Sequence, residues 1–108
     1  MTINIQEKAT IIKDFDSNLD KLLFKLTNEN FENQNIILDL FNYTSLKPKD
    51  LNIFLSFTKD FKKKNQSFVI VISDFDFNKA SEKINIVPTI QEAFDLIEME
   101  NIERDLGF

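Results

Sequence analysis

QNIILDL at residues 34–40 and SFVIVI at residues 67–72 decide the fold. Neither alternates apolar with polar: each carries an unbroken apolar run, Ile36 to Leu38 in the first and Phe68 to Ile72 in the second. A strand covered by protein on both faces reads this way, and such strands belong to parallel sheets whose crossovers are helices. The stretch between them supplies one such crossover. A loop, Phe41-Asn-Tyr-Thr-Ser-Leu-Lys, runs to Pro48, where a proline at a helix start loses no needed hydrogen bond. Leu51, Phe54, Leu55 and Phe61 then share one helical face, with Asp50 in the first turn and Lys62, Lys63 and Lys64 in the last, the signs that suit the helix dipole.

Working outward, Ile3 and Ile5, a turn near Glu7 and Lys8, and then Ile11 and Ile12 predict a short hairpin. Leu19, Leu22, Leu23 and Leu26 recur at three and four residues, which predicts a helix of about three turns capped by Asp16 or Ser17, with Phe24 off the stripe. Beyond the second apolar run, residues 74–81 read as a short turn or helical fragment, and Ile84 to Val87 as a last strand. Thr89 and Glu92 form a T-x-x-E capping box, opening a helix through Ile90, Ala93, Phe94 and Ile97 that continues to about Arg104. The expected order is β-β-α-β-α-β-(short α)-β-α. It specifies a single α/β domain over residues 1–108, with a mixed sheet of four to five strands, three main helices and one short helical turn. Twelve phenylalanines fit a small core filled with large rings, and Phe15, Phe41, Phe68 and Phe75 are expected in or near it. Asparagines such as Asn28, Asn30, Asn33 and Asn35 fall between periodic segments and read as turn residues.

Composition removes several function classes. The chain has no histidine and no cysteine, which excludes Ser-His-Asp and Cys-His catalysis, the usual zinc sites, disulfides and thiol redox chemistry. Histidine-dependent metal hydrolases fall by the same absence, ribonucleases of the metallo-β-lactamase type among them. The single glycine, Gly107, cannot build a phosphate-cradling loop. With a formal charge of −5 and no arginine-rich run, the expectation is no nucleic-acid partner. No apolar stretch approaches the roughly 18–20 residues that cross a bilayer, and MTINIQEKATIIKD lacks the shape of a signal peptide, so no membrane insertion and a cytoplasmic location are expected.

Three features remain as candidates. Asp14, Asp39 and Asp74 stand near strand ends, where open sheets place functional groups, and a carboxylate site built from them would take magnesium or serve as a phosphoacceptor or small enzyme using Asp39. Against this, a lysine after SFVIVI is missing, Ser73 and Asp74 standing there, and the alternative role of the carboxylates is capping and solvation. Secondly, charge is polarised: between Tyr43 and Lys64 six lysines face two aspartates, whereas Ile90 to Phe108 holds one basic residue against six acidic ones. That polarity either steers a partner or complements the helix's own dipole. Third is the loop before Pro48, with Tyr43 reading equally as a partner contact and as a core-edge residue.

The order and spacing of these segments from about Asp14 to Phe94 resemble the STAS family, the domains of anti-sigma-factor antagonists and of sulfate-transporter tails. The resemblance runs through the turn DFDSNLD, through IILDLFNYTSL and LNIFLSF, and through KINIV into PTIQEAFDLIE with Glu92-Ala93. It implies a bacterial regulatory domain that binds an anti-sigma kinase-like or other signalling protein. The family's D-S-[ST]-G phosphorylation segment is replaced: its four positions fall on Lys47, Pro48, Lys49 and Asp50. Proline accepts no phosphoryl group, so the serine switch does not carry over, and Thr44 and Ser45 lie off the matching site. The expectation is a non-catalytic adaptor without cofactor or metal, docking a protein through Tyr43, Thr44, Ser45, Leu46, Lys47, Pro48 and Lys49. The alternatives are the Asp39 phosphoacceptor and a homo-oligomeric structural module such as a homodimer.

Overall fold

The computed structural model describes residues 1–14, 17–29, 31, 34–43, 46–73 and 83–107. Its elements are β1 (Thr2–Ile5), β2 (Thr10–Lys13), α1 (Leu19–Asn28), β3 (Ile36–Asp39), a 3₁₀ segment (Pro48–Phe54), α2 (Leu55–Lys63), β4 (Phe68–Val71), β5 (Asn85–Val87) and α3 (Ile90–Asp105). The five strands form one mixed sheet in the order β1-β2-β3-β4-β5. β1 and β2 are the expected hairpin, antiparallel with Ile3 opposite Ile12, and β2 to β5 run parallel. The α/β class, the mixed sheet and the three main helices are as the sequence predicts. The helical fragment expected at 74–81 lies outside the described residues.

The two apolar runs form the central strands β3 and β4, and every residue of both is buried. Alternation along each strand then sends successive side chains to opposite layers. Ile12, Ile36, Leu38 and Ile70 meet Leu22 and Leu26 of α1, Leu51 and Phe54 of the 3₁₀ segment and Phe61 of α2. Ile11, Ile37, Val69 and Val71 meet Ala93 and Ile97 of α3 on the other side. Phe68 anchors the first layer, with its ring centroid 6.1 Å from Phe54, 6.0 Å from Phe57 and 5.3 Å from Phe61, the last edge-on.

Local details refine the sequence reading. The cap of α1 is Asn18, whose side chain accepts from the Lys21 N–H at 3.1 Å; Ser17 instead takes a left-handed φ of 52°, and Asp16 lies outside the described residues. The segment opened by Pro48 begins as a 3₁₀ helix, in which residues three apart eclipse, so Leu51 and Phe54 enter the core one above the other. Asn65 (φ 60°) closes α2: its own N–H donates to the Lys62 carbonyl and the Gln66 N–H to the Phe61 carbonyl, a Schellman turn built on asparagine where glycine is usual. Thr89 caps α3 as expected, accepting from the Glu92 N–H and donating to Glu92 Oε2. Phe68 is buried as expected, but Phe41 is not: 47% of it is exposed, because the last bond to the sheet is from the Leu40 N–H to Val71 and Phe41 lies beyond it. Phe15 and Phe75 lie outside the described residues.

Candidate functional site at the carboxyl edge of the parallel strands

The carboxyl ends of β2 and β3 lie side by side, with Lys13 opposite Asp39 in register. Both carboxylates predicted near these ends are buried, Asp14 to 1% and Asp39 to 6% exposure. The strand period separates them. Asp39 follows Ile37 onto the α3 side, whereas Asp14 follows Ile12 onto the side of α1 and α2. Among the described residues no three acidic side chains come together as a metal site would require, and Asp74 lies outside those residues.

Each carboxylate has its own partners. Asp14 Oδ2 accepts the Tyr43 hydroxyl at 2.6 Å, a bond spanning 29 positions that ties the loop after β3 to the end of β2. Burial pushes the Asp39 carboxyl above its usual range, opposed by the attraction of Lys13 and by the Phe41 N–H it accepts. That last contact joins a side chain to the backbone two residues on, the spacing of an Asx turn. Lys13 Nζ also sits 5.5 Å from the centroid of the exposed Phe41 ring, in cation–π range.

The first residues of the loop predicted as a docking surface, 41–43, are therefore held from both sides of the sheet. Lys47 and Lys49 are exposed, whereas Tyr43, Leu46 and Pro48 are half-buried, Tyr43 and Leu46 packing against the core. Thr44 and Ser45 lie outside the described residues. The Lys47 N–H donates to Asp50 Oδ2 at 2.9 Å, which fixes the start of the 3₁₀ segment and the two lysines on it. The exposed side chains left for a visitor are Phe41 with Lys13 beside it, and Lys47 and Lys49 at the far end of the loop. Sequence reading missed Lys13 and placed Phe41 in or near the core; only the β2–β3 register brings Lys13 beside Asp39. No protein family, curated protein or solved structure matches this chain.

The lysine-rich end of α2 meets a different structure. A polar cleft of about 630 Å³ lies at the amino ends of β4 and β5, lined in part by Lys59, Lys62, Lys83, Glu100 and Arg104. Buried Ser67 donates its hydroxyl to Glu100 Oε1 and accepts from Arg104 Nη2, while Asn85 donates to Glu100 Oε2 at 3.3 Å. These bonds tie the last turns of α3 to the sheet. Lys62 and Lys63, in the last turn of α2, bear the sign that offsets a helix's carboxyl-end dipole, the alternative the sequence left open. No helix among the described residues is long and apolar enough to cross a membrane.

Proposed function

We propose that the chain is a cytoplasmic, non-catalytic adaptor that binds a protein partner through the 41–49 rim, resembling an anti-sigma-factor antagonist without its serine phosphoswitch. The observation that carries this reading is the tethered loop. The Tyr43–Asp14 bond and the Asp39–Phe41 contact hold its first residues, yet they leave the Phe41 ring exposed beside Lys13, with Lys47 and Lys49 exposed farther along the chain. An exposed aromatic between two anchored residues, Asp39 and Tyr43, loses little conformational freedom when a partner covers it, which is what an interface anchor requires. Lys13, Lys47 and Lys49 favour a partner whose contact surface is acidic, a kinase-like or other signalling protein in the circuit the resemblance implies. Pro48 at the family's phosphoserine position makes the contact independent of phosphorylation.

The test places a photo-crosslinking amino acid at position 41 of the full chain in its native cell, identifies the adduct, and measures that partner's affinity. Reversing both charges with Lys47→Glu and Lys49→Glu is expected to weaken binding by about tenfold or more. Unchanged affinity in the double variant, or no adduct from position 41, rejects the rim as the docking surface. A second reading, the homo-oligomeric module, draws on β1: it is an edge strand, with Ile3 and Ile5 exposed and no lysine or proline within it to guard the edge. A mass that rises with concentration in sedimentation separates that reading from the adaptor.

A further inference from the structure

α3 is apolar on two opposite sides. Ala93 and Ile97 enter the sheet layer, and Arg104, on the same side, bonds Ser67. Met99, Ile102 and Leu106 form a second row, spaced three and four residues apart, and are 57%, 56% and 67% exposed. At about 100° per residue this row points roughly opposite to the Ala93–Ile97 side, straight away from the sheet. Single exposed apolar residues are ordinary, but three aligned over two turns and rimmed by charge mark a contact surface.

The rim is acidic on both sides. Glu103 borders the row on one flank, Glu98 and Asp105 on the other, and all three are exposed. Among the described residues Glu98 has Lys8 at 3.9 Å, in a pair more than half exposed on both sides and so weakly held, and Glu103 also edges the cleft that Lys59, Lys62 and Lys83 line. The helix's one basic residue, Arg104, is on the inner side. This charge pattern selects the occupant. A second copy of α3 would set acid against acid, and an anionic lipid surface would meet the same repulsion. A helix with lysine or arginine on either side of its own apolar stripe is complementary in both respects, and Met99 gives the row an adaptable contact.

We propose that the outer face of α3 docks a basic amphipathic helix of a partner protein, laid along Met99, Ile102 and Leu106 between the flanking carboxylates. This surface is on the opposite side of the sheet from α1 and α2, and its use does not depend on the 41–49 rim.

The probe is a fluorescein-labelled 15-residue amphipathic peptide with a leucine stripe and lysine flanks, beside a twin with glutamate flanks, titrated into the full chain by anisotropy. The lysine peptide is expected to bind at least about tenfold more tightly than its twin. The deciding variant is Ile102→Glu. It adds negative charge, so purely electrostatic capture would tighten, whereas docking on the apolar row is expected to weaken by about tenfold. Circular dichroism checks that the helix is intact, as an exposed position allows. Equal binding of the two peptides, binding of neither, or a gain in affinity with Ile102→Glu overturns the proposal. So does a dimer in sedimentation that Ile102→Glu dissolves, which would make a second copy the occupant.

Discussion

Ile37 and Leu38 are neighbours in β3, both fully buried, and they look into different layers. Leu38 faces α1, the 3₁₀ segment and α2, where Phe54, Phe57 and Phe61 gather round Phe68. Among the described helices Ile37 faces α3, whose fully covered side chains are Ala93 and Ile97. The first layer is closed by interlocking rings. The second is one helix thick, and that helix keeps a further apolar row on its outer side. The pair of layers therefore separates the parts of the molecule that hold it together from a part still able to take a contact.

Among the described residues each layer also holds one buried carboxylate, and the two are handled differently. Asp14, on the side of α1 and α2, is met by the Tyr43 hydroxyl. Asp39, on the α3 side, keeps a raised pKa because burial outweighs the help of Lys13 and the Phe41 N–H.

Truncating the two neighbours tests the layers directly. Leu38→Ala and Ile37→Ala should each cost about 2–5 kcal/mol in urea denaturation, with Leu38→Ala the larger, since a cavity among packed rings collapses less readily. The reverse order would make the single-helix layer the tighter one. Next in size is Tyr43→Phe, which removes a donor from a buried carboxylate and should cost about 1–3 kcal/mol. A cost near zero would mean that the loop is held without that bond.

The smallest effect is a pH dependence. Because the folded state raises the Asp39 pKa, it binds the proton more readily than the unfolded chain does. Asp39 therefore favours folding at low pH, and its contribution is lost as pH rises from the ordinary carboxylate value of 3.8 through the raised one. Asp39→Asn retains an acceptor for the Phe41 N–H. It should remove that downward step and be at least as stable as the parent chain near neutrality; an unchanged profile would assign the step elsewhere.

Much of this was readable in the chain itself. QNIILDL and SFVIVI announce strands covered on both faces, Thr89 with Glu92 announces the start of α3, and Pro48 announces the helical turn before α2. These are local statements: apolar continuity, capping geometry and a missing N–H act within a few residues. The same local logic put Phe41 in or near the core, because the residue itself does not say that sheet pairing has ended before it.

Long-range partners depend on register, and register is a property of pairing. Only the parallel alignment of β2 with β3 sets Lys13 beside Asp39, and only the period of two in an assembled sheet sends Asp14 and Asp39 to opposite layers. The Tyr43–Asp14 bond crosses 29 positions and the Ser67–Glu100 bond 33, distances over which sequence periodicity carries no phase. For α3 the sequence determined that apolar residues surround the helix. The tertiary structure decided which row enters the sheet and which is left outside, because a helix with two apolar sides has no preferred rotation until something packs against one of them.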